Sequence, residues 1–224
     1  VYSSDPASAP GRIESIYNEL QGLFEFVKPE PASEEDLRLV HGDLHITYVK
    51  RHELLYEVAT LAVGGAIKAA ELAMQGEPAF GLIRPPGHHA SRSSCWGFCF
   101  FNNVATSIEK LRQANKIAKA LIVDIDLHYG DGTNNIFTGK PQVNYFHAEG
   151  KNREQYLNDL KICLTTEKDC DIIAVSAGFD RHEQDWGGLL KTEDYKTIGK
   201  MVKEFAENVC EGRRYAVLEG GYNH

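Results

Sequence analysis

The chain has 224 residues, of which 42% are hydrophobic, so it is long and apolar enough to bury one large core. Its formal net charge of -8 argues against nucleic-acid binding as the main role and suits a cationic partner better. No apolar stretch is long enough to cross a membrane, and residues 1–6 lack the pattern of a signal peptide.

The five cysteines are odd in number and lack Cys-x-x-Cys spacing. A disulfide framework or a structural zinc knuckle is therefore not expected. We predict a cytoplasmic protein with reduced cysteines that makes no direct contact with nucleic acid or membrane. The sequence leaves its oligomeric state open.

The first third of the chain predicts helices. Apolar residues at helical spacing predict a helix over 13–26, after a leading loop over 1–12. Ser33 is followed by three acidic residues, which predicts the N-terminus of the next helix. Residues 54–75 form the longest helical pattern, in which the glycine pair at 64–65 predicts close packing on the sheet.

A strand, a rigid loop and an aromatic turn follow. Residues 79–83 predict a short buried strand, and the prolines of 84–89 exclude both helix and strand ladder, which predicts a rigid loop. Residues 97–103 form an aromatic turn whose asparagines predict the cap of the next helix. The wholly apolar run 121–123 predicts a strand that is covered on both faces.

Strands and helices alternate to the end of the chain. Residues 143–146 predict a strand, Asn152 predicts a helix cap, and 171–180 predict a buried strand that ends on an acid. Thr192 then opens a helix, and 215–218 predict a final strand. This alternation predicts an α/β fold, with one domain, a largely parallel sheet and helices on both faces. Ligands of such sheets gather beyond the carboxyl ends of the strands.

Three side chains that bind metals follow the apolar run at 121–123. Because strand side chains alternate, Asp124, Asp126 and His128 are predicted to point the same way. Buried charges without partners are unfavourable, so this cluster makes a poor core, but it makes half of a zinc site. The alternative is a polar strand end that meets solvent.

Other strand ends carry further groups of this kind, namely His88, His89, Asp180 and Tyr222. Taken singly, each has a structural explanation, such as a hydrogen-bonded turn or a helix cap. Taken together, metal ligands, acid/base groups and a phenol beside glycines at the ends of separate strands predict a hydrolytic metal site.

Four motifs, in this order, resemble those of the histone deacetylase family: Arg84-Pro85-Pro86-Gly87-His88-His89, Gly97-Phe98-Cys99-Phe100-Phe101-Asn102-Asn103, Asp124-Ile125-Asp126-Leu127-His128-Tyr129-Gly130-Asp131-Gly132 and Glu219-Gly220-Gly221-Tyr222. The resemblance covers most of the chain and implies an arginase-like α/β fold. The family includes histone deacetylases, acetoin-utilisation proteins and acetylpolyamine amidohydrolases. The implied substrate is therefore an acetylated amine or an acyl-lysine.

The resemblance also implies metal ions. Asp126, His128 and Asp180 would bind one Zn²⁺ ion, or Fe²⁺ or Co²⁺ in its place, and leave a position for water and the acetyl oxygen. Backbone carbonyls of the strand that carries Asp124, Asp126 and His128 would hold a structural K⁺ ion.

Catalytic roles are implied in the same way. His88 and His89 would flank the water, with Asp124 and Asp131 as their respective carboxylate partners. His89 would be the base that later protonates the amine. Tyr222 would donate its hydroxyl to the developing oxyanion.

Gly97 and Phe98 are implied to line a substrate tunnel, with Phe98 as one wall. Family members form the opposite wall with a long aromatic loop, whereas this chain has only residues 148–150 there. We therefore expect a wide entrance and a broad or small-molecule specificity that favours cationic amines. The rim segment over 50–54 is also short, and Glu53 is the acid available in it.

The chain lacks an initiating methionine and ends two residues after Tyr222, where the family continues with a helix. The catalytic domain over 1–224 is therefore expected to be incomplete at its ends.

Two other functions stay open at this point. An arginase-type ureohydrolase shares the fold and holds two Mn²⁺ ions, but it resembles Asp-x-His-x-Asp, whereas this chain reads Asp124-x-Asp126-x-His128. A catalytically silent binder of acyl-lysine would not need the complete set of base, metal ligand and phenol. A count of bound metal separates the first alternative from a deacetylase.

Overall fold

A sheet of five short strands lies at the centre of the protein. The computed structural model describes residues 9–223, so most of the predicted leading loop lies outside the described residues. The strands are β1 (Ala79–Gly81), β2 (Ala120–Asp124), β3 (Val143–His147), β4 (Ile172–Ala177) and β5 (Arg214–Leu218). The helices are α1 (Arg12–Leu20), α2 (Glu34–Arg38), α3 (Asp43–Lys50), α4 (Glu53–Met74), α5 (Asn103–Gln113), α6 (Asp131–Phe137), α7 (Arg153–Thr166) and α8 (Thr192–Val209).

All strand pairs are parallel, and the strand order is β1-β5-β4-β2-β3. Asp124, at the end of β2, is level with Ser176 of β4 and His147 of β3. The carboxyl ends of these strands therefore meet at one edge of the sheet. The predicted single-domain α/β fold with a parallel sheet is confirmed.

Apolar side chains fill both sides of this sheet. Along β2, Ile122 packs in a cluster with α4 and α5, whereas Leu121 and Val123 pack in a second cluster with α7 and α8. All three side chains are fully buried. A strand that is apolar on both faces is thus covered by helices on both faces, as predicted.

Three predicted elements are shorter than expected, and one of them is β4, which spans Ile172–Ala177 where the sequence predicts 171–180. β1 ends at Gly81 and lies at the edge of the described sheet, where Phe80 is 45% exposed, so the prediction of a buried strand over 79–83 is wrong in part. The helix predicted over 13–26 ends at Leu20. Its end is close to Gly22, whose left-handed conformation (φ 84°) does not continue a helix.

The glycine pair in α4 packs mainly on a neighbouring loop. A Cβ atom on Gly64 would lie 1.9 Å from the carbonyl oxygen of Glu30, and one on Gly65 would lie 2.5 Å from Cγ2 of Ile83, just after β1. Close approach therefore explains the pair, as predicted. The main partner is the loop that carries Glu30 and not the sheet.

Side-chain caps begin three helices at predicted positions. The capping residues accept a hydrogen bond from the backbone N–H three positions further on, and they are Ser33, Asn102 and Asn152. Thr192 is the first residue of α8, also as predicted. Within residues 9–223, no helix is both long and apolar enough to cross a membrane.

Candidate metal centre and active site

The chain beyond β2 carries two of the predicted metal ligands. β2 ends at Asp124, so strand alternation does not set the positions of the residues after it. Hydrogen bonds do so instead, because Asp124 Oδ1 accepts the N–H of Asp126 at 3.0 Å and Asp126 Oδ1 accepts the N–H of His128 at 2.9 Å. The side chains of Asp126 and His128 thereby meet at the carboxyl end of the sheet.

Asp126, His128 and Asp180 form a cluster with the dimensions of a metal site. His128 Nδ1 lies 3.1 Å from Asp126 Oδ1 and 3.1 Å from Asp180 Oδ2. Two ligand atoms that each lie roughly 2.0 to 2.2 Å from a tetrahedral zinc ion are about 3.3 to 3.6 Å apart. The observed separations are a few tenths of an ångström shorter, so a small outward movement of the ligands would admit one such ion.

Hydrogen bonds fix the two carboxylates of this cluster and leave one oxygen unpaired. Asp126 Oδ2 accepts the N–H of Gly220 at 2.8 Å, and Asp180 Oδ1 accepts that of Leu127 at 2.9 Å. Asp180 Oδ2 is buried, and it has no hydrogen-bond partner among residues 9–223 beyond its charge contact with His128 Nδ1. A buried carboxylate oxygen without a donor is unfavourable, and a cation would remove this penalty. The residues therefore fit a divalent metal ion.

Glycine at position 220 makes the close approach possible. A Cβ atom there would lie 2.7 Å from Asp126 Oδ2 and 2.7 Å from Asp180 Oδ2. Any other residue would displace at least one of the two carboxylates. The glycines of the C-terminal motif thus serve the metal ligands directly.

Burial and charge oppose each other at these ligands. Burial raises the pKa of Asp180. Burial also opposes ionisation of Asp126, but the charge of His88 and hydrogen bonds from His128 outweigh it and lower the pKa of Asp126. Contacts with the carboxylates of Asp126 and Asp180 raise the pKa of His128 to about 9. The cluster therefore attracts positive charge.

Two histidines from the loop after β1 lie beside the cluster, each with its own carboxylate. His88 Nδ1 lies 3.1 Å from Asp124 Oδ2, and His89 Nδ1 lies 2.7 Å from Asp131 Oδ1. The centroids of the two imidazole rings are 4.0 Å apart. Each histidine therefore lies next to the carboxylate that the family resemblance implies for it.

The two histidines differ in charge. Burial disfavours the charged form of His88, but the carboxylates of Asp126 and Asp124 outweigh burial and hold its pKa well above the ordinary value. At His89, burial and the neighbouring charge of His88 lower the pKa to about 4. His89 is therefore neutral near pH 7 and able to accept a proton.

Trp96 also contacts His89, and sequence reasoning missed it. Its indole N–H donates to both carboxylate oxygens of Asp131, at 3.0 and 3.1 Å. Its ring stacks on His89, with the centroids 3.9 Å apart. Trp96 thus holds His89 and Asp131 together. Its position next to Gly97 is a sequence signal that could have pointed to it.

Buried polar groups hold the histidine loop from the side of the core. Glu219 Oε2 accepts the N–H groups of Gly87 and His88 at 2.7 and 3.2 Å. Burial raises the pKa of Glu219 to about 7, although the charge of His88 and the hydrogen bond from the Gly87 N–H oppose the shift. Arg12 of α1 donates to the backbone carbonyls of Glu219 and Gly221. The first helix therefore supports the site, which its sequence did not indicate.

A cavity of about 150 Å³ opens onto these groups. Its lining contains most of the predicted catalytic and substrate-binding residues together with two tryptophans. The residues that line it are Pro86, His88, His89, Trp96, Gly97, Phe98, His128, Trp186, Gly220 and Tyr222. Asp126 and Asp180 are fully buried at its base.

The backbone at Gly97 and Phe98 is unusual. Phe98 has a φ of 62°, a conformation that aromatic residues rarely adopt, and Gly97 has a φ of 57°. A Cβ atom on Gly97 would lie 2.6 Å from Cδ2 of His89. Such strain is found where a side chain must occupy a particular place, here Phe98 in the wall of the cavity.

The short connection over 148–150 borders an open groove of about 720 Å³, whose lining includes Glu149, Lys151 and Asp159. Neither Glu149 nor Lys151 lines the smaller cavity, so the connection provides no wall for it. Glu53 is the first residue of α4 and does not line the cavity either. Trp186, which was also not predicted, occupies part of the wall.

The residues around the Asp126 carbonyl do not fit the implied K⁺ ion. This oxygen accepts hydrogen bonds from Arg181 Nε at 3.1 Å and from His147 Nε2 at 2.9 Å. Arg181 Nη2 also donates to the carbonyls of Leu127 at 3.3 Å and Ala148 at 3.2 Å. A guanidinium group therefore already supplies positive charge where these carbonyls converge.

The sequence profile of the histone deacetylase domain matches residues 6–156 and 149–224. The chain belongs to the histone deacetylase family. The two matched segments overlap at 149–156, next to the shortened connection after β3.

Similar proteins agree with this assignment. Probable deacetylases from Methanothermobacter thermautotrophicus and Archaeoglobus fulgidus are each 30% identical to the chain; the alignments cover 88% and 91% of this chain and 74% and 72% of those proteins. Polyamine deacetylase HDAC10 of Mus musculus is 29% identical over 86% of this chain and 38% of that longer protein. The crystal structure of the HDA15 HD domain matches with a TM-score of 0.85 and 25% identity, over 97% of this chain and 78% of that chain.

Proposed function

We propose that the protein is a metal-dependent deacetylase that hydrolyses the amide bond of N-acetylated amines. The supporting observation is that the cluster of Asp126, His128 and Asp180 borders the same cavity as two carboxylate-paired histidines and Tyr222. Within this cluster, Asp180 Oδ2 is buried and has no hydrogen-bond partner among the described residues beyond its charge contact with His128 Nδ1. Two carboxylates and one imidazole suit zinc. When bound, this ion supplies Lewis acidity and a nucleophilic hydroxide from water near pH 7.

The two histidines have separate tasks in this proposal. Asp131 accepts the Nδ1–H of His89, so the neutral Nε2 of His89 is free to take a proton from the attacking water and later give it to the leaving amine. His88 is charged and held by Asp124. It stabilises the negative charge that develops at the reacting oxygens.

Tyr222 donates its hydroxyl to the carbonyl oxygen of the substrate in this proposal. Burial raises the pKa of Tyr222 above its ordinary value, so the phenol stays protonated and remains a donor. A hydrogen bond of this kind strengthens as negative charge develops on the carbonyl oxygen, so it favours the transition state over the bound substrate.

The proposed substrate is a small acetylated amine with a positive charge beyond the acetyl group. A cavity of about 150 Å³ suits a slender chain, and the net charge of -8 attracts cations. One relative is named a polyamine deacetylase. Comparing kcat/KM for an acetylpolyamine, an acetyl-lysine peptide and a neutral acetylated analogue tests the proposal, and a clear preference for a histone peptide would contradict it.

Metal content provides a test that does not depend on the substrate. Elemental analysis should find one divalent ion per chain, and Asp180→Ala should lower metal content and activity together, because affinity depends on the full ligand set. Asp169→Ala is the matched control, because it removes a carboxylate that is 74% exposed. Two ions per chain would instead support an arginase-type site. Normal metal content in Asp180→Ala would remove Asp180 from the ligand set.

We also propose a cytoplasmic location. All five cysteines are free, and the sulfur atoms of Cys170 and Cys210 lie 3.0 Å apart without a bond. Thiols this close suit a reducing compartment. Cell fractionation tests the location, and recovery from an oxidising compartment would contradict it.

A further inference from the structure

Trp186 is a large apolar side chain that the proposed chemistry does not use. Its ring is 58% exposed although it lines the cavity. One face stacks on Tyr222, with the centroids 4.1 Å apart and an angle of 29° between the planes. Its ring is nearly perpendicular to that of His128, with the centroids 6.1 Å apart. Single exposed apolar side chains are common on protein surfaces, but this one lines the cavity beside the reacting groups, where it can contact a ligand.

The backbone holds Trp186 in this position. Asp185 Oδ1 accepts the N–H of Trp186 at 2.7 Å, and Asp185 Oδ2 accepts the N–H groups of Tyr222 and Asn223 at 2.6 and 2.8 Å. The next residue, Gly187, donates its N–H to the carbonyl of Asp180 at 2.7 Å. One carboxylate thus ties the Trp186 segment to the Tyr222 segment, and the indole is positioned before any ligand arrives.

A second aromatic group completes the rim of the cavity. Trp96 is 55% exposed and stacks on His89, and Phe98 lies two residues further along the chain. The cavity is therefore bounded by one aromatic group with Trp96 and Phe98 and by another with Trp186 and Tyr222. The connection over 148–150 is too short to supply either of them.

We infer that Trp186 forms the second wall of the substrate entrance and selects acetylated amines that carry a positive charge. This inference rests on the proposed deacetylase function. The open face of the indole accepts a methylene chain by apolar contact, and its π-electrons attract an ammonium group beyond that chain. A neutral substrate gains the first contact but not the second. Trp186 is thus a specificity-determining residue, whereas Tyr222 beneath it acts on the reacting oxygen.

Kinetics of three variants test the role of the ring. The substrates are monoacetylated putrescine, which is cationic, and N-butylacetamide, which has a similar chain without the charge. Trp186→Leu should lower kcat/KM for the cationic substrate about tenfold, mainly through KM, with a much smaller loss for the neutral one. Trp186→Phe should keep most of the preference. Tyr48→Leu removes an aromatic side chain that is 53% exposed and does not line the cavity, so it is the matched control.

Fluorescence gives a second readout that needs no turnover. The chain has two tryptophans, so Trp96→Phe leaves Trp186 as the sole indole. Adding Tyr222→Phe slows hydrolysis and keeps the ring on which Trp186 stacks. Monoacetylated putrescine should then change the Trp186 emission saturably, and N-butylacetamide should do so at higher concentration.

The outcomes separate the inference from the proposed function. Equal losses for both substrates in Trp186→Leu, or a Trp186 emission that does not respond to monoacetylated putrescine, would overturn the inference while deacetylation by the wild type stands. A saturable emission change in the fluorescence variant, together with no hydrolysis of either substrate by the wild type, would support the wall and defeat the deacetylase proposal. Thermal melting of each variant confirms that it is folded.

Discussion

Neighbouring groups give three buried histidines different charges. Carboxylates outweigh burial at His88 and raise its pKa, whereas burial and the charge of His88 lower the pKa of His89 to about 4. At His41, burial and the charge of His45 lower the pKa to about 3. The same side chain is thus cationic in one place and neutral in two others, and only the neighbours differ.

The proposed role of Tyr222 makes a prediction about the rate. Tyr222→Phe should keep the metal ion and KM but lower kcat by roughly a hundredfold or more, because the lost hydrogen bond acts mainly in the transition state. Steady-state kinetics and elemental analysis measure these quantities. Tyr129→Phe, at a residue that is 46% exposed and does not line the cavity, is the control. A raised KM with unchanged kcat would make Tyr222 a binding residue.

His41 links the histidine loop to the start of α5. Its Nε2 accepts the N–H of Asn102 at 2.9 Å, and its Nδ1–H donates to the carbonyl of Ser91 at 2.9 Å. A protonated ring has no lone pair for the Asn102 N–H. The neutral form of His41 is therefore required by the fold. The neighbouring groups His45 and Arg92 carry no negative charge, so they do not offset the effect of burial on His41.

This arrangement predicts how stability depends on pH. The pKa of His41 falls from 6.5 in the unfolded chain to about 3, so between these values the unfolded chain binds more protons. The stabilising effect of His41 is complete above pH 6.5 and is lost as the pH falls, by up to about 1.4 kcal/mol per pH unit. Urea unfolding at pH 7.5 and pH 5 should therefore show a smaller difference for His41→Gln than for the wild type. Equal differences would exclude this role, and His52→Gln, at an exposed histidine, is the control.

At the scale of elements, the sites lie in the segments after the strands, and Arg181 is central to how these segments are held. Its guanidinium joins the chain after β2 to the chain after β3 through the carbonyls of Asp126 and Ala148. Its side chain also lies over the ring of Tyr156 of α7, 5.0 Å from the centroid. A fixed cation therefore occupies a place that family resemblance would give to K⁺.

We expect from this that the protein does not need K⁺. Activity and thermal stability should be equal in potassium, sodium and tetramethylammonium chloride at the same ionic strength. Arg181→Met should destabilise the fold by about 3 kcal/mol, because it leaves buried carbonyls without donors. Arg38→Met, at a residue whose side chain is 45% exposed, is the control. Saturable activation of the wild type by K⁺ would contradict the prediction.

Sequence patterns predicted most helices and strands, because the interactions that start and stop these elements involve residues close together in the sequence. The apolar run of β2 and the capping oxygens of Ser33 and Asn102 act within a few residues of themselves. The failures have causes elsewhere in the chain. β1 is partly exposed because it lies at the edge of the sheet, and the residues of β1 alone do not determine its place in the strand order. Gly64 faces the loop that carries Glu30 rather than the sheet, and this contact also depends on a segment distant from Gly64 in the sequence.

The residues of the candidate site also fall into a group that was predicted from the sequence and a group that was not. Side chains with metal or acid/base chemistry were identified from motifs, because few residue types serve such chemistry. Trp96 and Trp186 were missed, because an indole is chemically neutral and gains its role only from the rings on which it stacks, His89 and Tyr222. The contact of Arg181 with the Asp126 carbonyl was also missed, because Arg181 reaches this carbonyl from a separate strand end.

At the scale of the whole molecule, the excess of negative charge acts on substrates before they reach the cavity. The net charge of -8 raises the local concentration of cations, and salt screens this effect over about 10 Å at 0.1 M ionic strength. We therefore expect kcat/KM for an acetylpolyamine to fall several-fold as NaCl rises from low to high concentration, while that for a neutral acetylated amine stays constant. Stopped-flow or initial-rate assays measure both. An equal salt effect on both substrates would argue against steering.

The strand order has a consequence for folding during synthesis of the protein. β5 is the last strand of the described chain, yet it lies between β1 and β4, and β1 pairs with no other strand in the described sheet. The Gly220 N–H that holds Asp126 follows β5 directly. A growing chain on the ribosome thus carries its histidine loop and the metal ligands Asp126 and His128 without a completed centre until Gly220 has been added. We expect ribosome-bound chains that stop before β5 to retain no metal and to be protease-sensitive, and protection of such chains would show that the centre forms earlier.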